Sequence, residues 1–174
     1  MAQTEKVGDK SYYEVRGNVK MISYEDEYTP YDVEFNKEGQ SLCLGYTKTR
    51  KKGNTVEYIV PNDVIDEEVT TYDNKGRLIK HQGFEFYIRN MKYDDSDNLI
   101  YYESGGYWGD ESETRTYDSL GYCCKKIKKV QELGEETGKT NTYTYTILQK
   151  DAKGNWTKRK RNDGKVESRK IYYY

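Results

Sequence analysis

A short turn motif recurs along this chain and restricts its fold more than any other feature. The clearest copies read YDNKG, YDDSD and YDSLG, at 72–76, 93–97 and 117–121. The Asp after each Tyr can accept hydrogen bonds from backbone amides two residues further on, which initiates a turn. The Gly then supplies a positive φ at the turn exit. Each copy therefore predicts a tight hairpin turn between two β-strands.

About six copies can be found, and their spacing indicates a repeat of a little over twenty residues with two insertions. They begin at Tyr13, Phe35, Tyr72, Tyr93, Tyr117 and Lys150. The turn-forming residues expected from them are Asp73, Gly76, Asp94, Asp97, Asp118, Gly121, Asp151 and Gly154. Asp97 replaces Gly, and Asp is one of the few residues that tolerate a left-handed backbone. The position two residues after the Gly should point inward; it holds Val19, Ser41, Leu78, Leu99, Cys123 and Trp156.

Between the turns, apolar and polar residues alternate with the period of two that is typical of strands. TYTYT at 142–146 places two Tyr on one face and three Thr on the other. No segment keeps the 3.6-residue period of a helix. We therefore predict one all-β domain over residues 1–174, in which tandem antiparallel hairpins form an extended, twisted sheet with little or no helix.

The composition shapes both the core and the charge of this sheet. The chain has 20 Tyr but only 3 Phe, and we expect a core built from rings more than from aliphatic side chains. The net charge is −1 and the charges are interspersed, which does not indicate a nucleic-acid partner. The basic runs KKIKK at 125–129 and KRKR at 158–161 are interpreted as solvated faces and edges that oppose aggregation. Binding to an anionic polymer is the alternative.

The units YDNKGRLIK, YDDSDNLIY and YDSLGYCCK resemble the YD repeats of the Rhs (rearrangement-hotspot) family. The two ends, VRGNVKMISY and GNWTKR with RKIYYY, are also similar to those of small YD-repeat proteins of Bacteroidetes. The resemblance is clearest at 66–125 and implies a binding scaffold that is exported to the periplasm or cell envelope. Large family members enclose a cargo in a shell, but this chain has no room for a cargo domain. The opening MAQTEK looks like an Ala-Gln mature terminus behind an added Met, which implies a removed export signal.

The sequence contains no recognisable catalytic or cofactor motif. His81 is the single histidine and is predicted to be an ordinary strand residue. The acidic run at Asp94–Asp97 lacks the Gly and Glu that a calcium loop of the EF-hand type requires, which favours a turn. Cys43, Cys123 and Cys124 form no metal-binding pattern and are interpreted as structural thiols. We expect no metal, no cofactor and no enzymatic activity.

The segment SGGYWGDES, 104–112, is the best candidate for a binding site. It is rich in Gly and brings Tyr107 and Trp108 next to Asp110, and aromatic residues on a loop are common in binding sites. The alternative is that the two rings fold back and cap the end of the sheet.

We expect a non-catalytic binding or structural module that presents a Tyr-rich sheet surface to a protein partner. Carbohydrate binding through Tyr107 and Trp108 is the first alternative, and an enzyme with an unrecognised carboxylate site is the second. The sheet edges could also support self-association. No apolar stretch has the length of a membrane span. The insertions at 40–71 and 122–149 could cover one sheet face.

Overall fold

The computed structural model describes residues 9–25, 31–37, 39–42, 48–53, 55–59, 67–83, 86–134 and 137–174. These ranges contain 14 antiparallel strands in one sheet, and their single helical segment is a 3₁₀ helix at Asp9–Ser11. The strands are β1 Val19–Tyr24, β2 Tyr31–Phe35, β3 Ser41–Leu42, β4 Lys48–Lys52, β5 Thr55–Ile59, β6 Glu67–Tyr72, β7 Leu78–Gln82, β8 Phe86–Tyr93, β9 Leu99–Gly106, β10 Gly109–Tyr117, β11 Cys123–Glu132, β12 Lys139–Lys150, β13 Trp156–Arg161 and β14 Val166–Tyr173. The all-β prediction is confirmed.

The sheet is largely the predicted meander, but one pairing between the two ends of the chain was not predicted. From β4 to β14 every strand pairs with its neighbour in sequence, whereas β1 pairs with β14. The first hairpin therefore extends the sheet beyond its last strand, and β3 and β4 form the edges. The insertion at 122–149 does not cover the sheet but supplies β11 and β12.

The repeat turns are closed by their Asp side chains. In each one Asp Oδ1 accepts hydrogen bonds from the amides two and four residues on, at 2.8–3.0 Å; the four are Asp73, Asp94, Asp118 and Asp151. The residue three positions after the Asp has a left-handed backbone, with φ 75° at Gly76 and 59° at Asp97. Asn36 takes the Asp role in the turn after β2, where its Oδ1 accepts from the Gln40 amide at 2.9 Å.

Two turns differ from the expected pattern. Tyr13 and Gly17 do not flank a hairpin, because the segment between them follows the 3₁₀ helix and crosses one face of the sheet. Conversely, residues 161–165 form a hairpin turn between β13 and β14 that the motif missed, since Arg161 stands at the Asp position. The Gly164 amide donates to the Arg161 carbonyl at 2.9 Å, and Gly164 has φ 91°. The Asp-Gly pair was the available signal.

The apolar core is divided into two clusters. One surrounds Leu99 and consists of Tyr72, Leu78, Ile88, Met91, Leu99 and Tyr102; the other surrounds Phe35 and consists of Val15, Val19, Ile22 and Phe35. The second cluster joins β1 and β2 to Ile171 and Tyr173 of β14, which explains why the chain ends meet. Cys123 is buried, and burial raises the pKa of its thiol to about 12, as expected for a structural cysteine. Cys43 lies outside the described residues.

Replacing Asp118 by Ala should lower the free energy of unfolding by about 1–2 kcal/mol, because the amides of Leu120 and Tyr122 lose their charged acceptor. Asp118→Asn should lose less, since its amide oxygen can still accept. Urea denaturation measures both changes. Ser119→Ala is the matched control in the same turn and should stay within about 0.5 kcal/mol. An equal loss in the control would contradict the role assigned to the Asp carboxylate.

Candidate functional site

The segment expected to be a loop insertion is the tip of a regular hairpin. Gly106 of β9 pairs with Gly109 of β10, so that only Tyr107 and Trp108 form the connection. The Trp108 carbonyl accepts a hydrogen bond from the Leu133 amide at 3.0 Å, which ties this tip to the end of β11. The two rings are therefore carried by paired strands and not by a long loop.

The tip presents its large apolar side chains to solvent. Trp108 is 80% exposed and Tyr107 67%, so the rings do not fold back onto the end of the sheet. Their centroids lie 5.0 Å apart, with ring planes at 86°. Leu133 (70% exposed) and Phe86 (46%) line the same open depression of about 670 Å³. We call Phe86, Tyr107, Trp108 and Leu133 the aromatic tip.

Asp110, the third residue expected at this site, is engaged elsewhere. Its Oδ1 accepts a hydrogen bond from the Tyr87 hydroxyl at 2.6 Å, and this bond raises the pKa of Tyr87. The contact passes over Gly105, where a Cβ would collide with both side chains. Gly105 is thus required by a close approach, and Asp110 serves to hold the strands beside the aromatic tip.

The other prominent feature is the N-terminal segment at 9–16, which lies across one face of the sheet. We call this the inner face and the opposite one the outer face. Arg115 of β10 donates to the Tyr12 carbonyl at 2.9 Å, and Arg169 of β14 donates to the Tyr13 carbonyl at 2.7 Å. Asn155 accepts from the Arg16 amide at 2.8 Å. Side chains of distant strands therefore fix this segment in place.

Glu14 lies at the centre of the inner face. Its carboxylate is 2.6 Å from Arg159 Nη1 and 2.5 Å from Lys126 Nζ, and it accepts from Trp156 Nε1 at 3.2 Å. Burial would raise the pKa of Glu14, but the nearby cations, Arg159 first, outweigh burial and hold the pKa well below its usual value. Glu14 also has φ 56°, a backbone strain that the surrounding contacts must hold.

A second buried carboxylate, Glu113, lies near the first. Arg115 Nε approaches it to 2.5 Å and Lys126 Nζ to 3.8 Å. Burial would raise its pKa, and Lys126 and Arg115 lower it overall. Both groups line a cavity of about 670 Å³ between the N-terminal segment and the sheet. The neighbouring cations therefore favour the ionised form of both carboxylates, whereas a glycosidase pair uses one protonated acid.

The tyrosine-rich face is largely covered. Tyr72 and Tyr102 are buried, and Tyr12 and Tyr13 of the N-terminal segment are half-buried against the inner face. The Arg159 guanidinium lies 4.0 Å from the Tyr145 ring centre and so occupies that ring's surface. Among the described residues, Tyr31, Tyr172 and Tyr174 are about half exposed, and the most exposed rings are Tyr107 and Trp108 of the aromatic tip.

The other residues singled out in the sequence have structural surroundings. His81 is a strand residue, with Nδ1 2.9 Å from Thr70 Oγ1, and Asp97 pairs with Arg77 at 2.7 Å. Within the described ranges, no group of three or more His, Cys, Asp or Glu side chains is arranged to hold a metal ion. No helix in the part of the chain that the structure describes has the length and apolarity to cross a membrane.

Sequence reasoning missed Glu14 and its partners. The basic runs KKIKK and KRKR were interpreted as solvated, yet Lys126 and Arg159 in these runs reach the buried carboxylate. The period of two within each run was the available signal, since every second residue of a strand points to the other face. No protein-family model and no curated protein matches this chain.

Proposed function

We propose that this chain is a non-catalytic binding module that docks a protein partner on its aromatic tip. The observation that carries the proposal is the exposure of four large apolar side chains at one end of the sheet. Soluble proteins seldom expose clustered apolar surface without a use for it, and Trp and Tyr dominate the binding energy of protein interfaces. The sequence predicted a binding surface made of the Tyr-rich sheet face; the surface proposed here is the smaller aromatic tip.

The support of the aromatic tip favours tight docking. Tyr107 and Trp108 project from two paired strands, and the bond from the Leu133 amide joins them to a third. A preorganised surface loses little conformational entropy on binding. Docking would therefore require rearrangement of side chains more than of backbone.

The neighbours of the rings favour a protein over a carbohydrate. Leu133 and Phe86 widen the surface with purely apolar groups, whereas sugar sites place hydrogen-bonding side chains beside a ring. Three carboxylates line the same depression, and each has a partner: Asp110 has Tyr87, Glu111 has Lys128 at 2.7 Å and Glu132 has Lys139 at 3.9 Å. Carbohydrate binding is the second candidate, because the exposed Trp108 ring could stack on a sugar. The resemblance to exported YD-repeat proteins supports a site of action in the cell envelope.

Trp108→Ala should weaken partner binding by about 2 kcal/mol or more, roughly 30-fold in Kd, because it removes the most exposed ring of the tip. The measurement is affinity capture and cross-linking from a native envelope fraction, followed by titration with the captured protein. Tyr172→Ala, which removes an exposed ring from β14, is the matched control and should bind normally. Equal capture by wild type and Trp108→Ala would contradict the assignment.

A polysaccharide panel distinguishes the second candidate. Trp108 is exposed and Trp156 buried, so a saturable change of tryptophan fluorescence that disappears in Trp108→Ala would place a sugar on the aromatic tip. Such a result would replace the protein partner by a carbohydrate. If no protein is captured and no polysaccharide changes the fluorescence, the proposal is overturned.

A further inference from the structure

The outer face of β11 and β13 carries lysines that have no counter-ion among the described residues. Lys125 and Lys129 on β11, with Lys158 and Lys160 on β13, make no ion pair with any described residue. We call these four residues the lysine track. Their sequence neighbours on the inner face are all paired with carboxylates: Lys126, Lys128, Arg159 and Arg161. The fold thus divides the basic residues of 125–129 and 158–161 between two faces. Those on the inner face are neutralised by carboxylates, and those on the outer face are not.

The strand between the two rows of lysines presents hydroxyl groups. On β12 the outward positions hold Thr140, Thr142, Thr144 and Thr146, all exposed. Cross-strand pairing places Lys129 opposite Thr140, Lys125 opposite Thr144 and Lys160 opposite Thr146. No Asp or Glu stands among the outward positions of β11–β13 from Lys129 to Lys158. Glu25 and Asp151 line a depression with Lys158, but Glu25 pairs with Lys170 at 2.6 Å and Asp151 accepts a hydrogen bond from the Tyr173 hydroxyl. The positive potential is therefore least cancelled around Lys129, Lys125 and Lys160.

The lysine track runs diagonally across the sheet. In order along β12, Lys129, Lys125, Lys160 and Lys158 lie beside residues 140, 144, 146 and 149. At about 3.3 Å per residue and about 4.8 Å between strands, this covers roughly 30 Å along β12 and about 10 Å across it. Charges arranged along a line on a flat surface match a linear polymer better than a compact ligand.

We propose that the lysine track binds a linear polysaccharide that carries carboxylates. The ammonium groups would meet successive carboxylates, and the Thr hydroxyls can both donate to and accept from the sugar hydroxyls between them. This surface is distinct from the aromatic tip, and the inference does not depend on the proposed protein partner.

The chemistry of the track disfavours a nucleic acid. Proteins that bind single strands stack the bases on aromatic side chains, and the track contains none. The major groove of a duplex admits a helix or a two-stranded ribbon, and the face of a many-stranded sheet is too broad to enter it. A carboxylated sugar chain needs neither stacking nor a groove.

The test is titration of the protein with polygalacturonate, with neutral dextran and with a single-stranded oligonucleotide of matched charge, at several salt concentrations. We expect saturable polygalacturonate binding that weakens with salt, with a slope of log K against log salt no steeper than about −4, one counter-ion for each lysine. Dextran should not bind. No polygalacturonate binding at low salt, or stronger binding of the oligonucleotide, would overturn the inference.

Two double variants locate the site. Lys125→Gln with Lys160→Gln should weaken polygalacturonate binding about 30-fold, at about fivefold for each ammonium group beside an anionic surface. Lys80→Gln with Lys153→Gln removes two exposed lysines outside the track that make no ion pair with a described residue, and it should change binding less than about twofold. Equal losses in both double variants would show general charge attraction and refute the track. Trp108→Ala should bind the polymer as wild type does, and a loss there would move the site to the aromatic tip.

Discussion

Glu14→Ala should lower the free energy of unfolding by about 3–5 kcal/mol, more than any surface substitution in this protein. The change removes the nearest carboxylate from Lys126 and Arg159, which are largely buried. Arg159 keeps Glu167 at 2.7 Å, but Lys126 keeps only Glu113 at 3.8 Å, and a poorly compensated buried charge costs several kcal/mol. It also loosens the segment at 9–16, whose carbonyls are held by Arg115 and Arg169. Urea or thermal unfolding, followed by tyrosine and tryptophan fluorescence, measures the loss.

Controls separate the charge from the backbone at this position. Glu14 has φ 56°, which Gly adopts without strain, so Glu14→Gly should be less destabilising than Glu14→Ala by about 1 kcal/mol. Glu34→Ala, which removes an exposed carboxylate of β2 that makes no ion pair with a described residue, should change stability by less than about 0.5 kcal/mol. A loss below about 1 kcal/mol for Glu14→Ala would refute the central role given to this ion cluster.

The same cluster should make the protein sensitive to acid. The pKa of Glu14 is lowered in the folded state from an ordinary value of 4.5, and that of Glu113 is lowered as well. A carboxyl with a lowered folded-state pKa contributes stability that is fully present above the unfolded pKa and is lost as pH falls through the folded one. We therefore expect full stabilisation near neutral pH and a progressive loss below about pH 4.5.

A difference measurement isolates Glu14 from the other titrating groups. Gln resembles a protonated Glu, so the stability of wild type minus that of Glu14→Gln should be large and constant near neutral pH. Below pH 4.5 this difference should shrink as the wild-type carboxylate takes up its proton. Unfolding free energies measured at intervals from pH 7 to pH 2.5 test the expectation. A difference that stays constant or grows as pH falls would contradict it.

The hairpin turns are predictable because their determinants are local. Asp73 and Asp94 bind amides only two and four residues away, so a short motif contains every partner that the turn requires. The same reasoning failed at Tyr13, where the spacing of the motif is present but the chain is held by distant arginines. It also missed the turn at 161–165, because Arg161 replaces the usual Asp.

The candidate site was located in part. Tyr107 and Trp108 stood out as adjacent aromatic residues in a Gly-rich segment, but sequence did not show that they form a two-residue connection with both rings in solvent. Their exposure also depends on a contact between distant segments, because the residue that follows β11, Leu133, binds the backbone of Trp108. Asp110 was grouped with the rings, although its bond to Tyr87 comes from strand pairing between β8, β9 and β10.

By itself, the sequence determined the all-β class, the turn residues and the alternation of the strands, because each depends on contacts among residues near one another in the chain. Only the tertiary structure decided that β1 joins β14, that Glu14 meets Arg159 from 145 residues away, and that each basic run divides between a paired and an unpaired face. These outcomes depend on which strands become neighbours. A repeat of similar hairpins leaves that choice to the packing of Phe35, Ile22 and Ile171 and to the buried charges between the two apolar clusters.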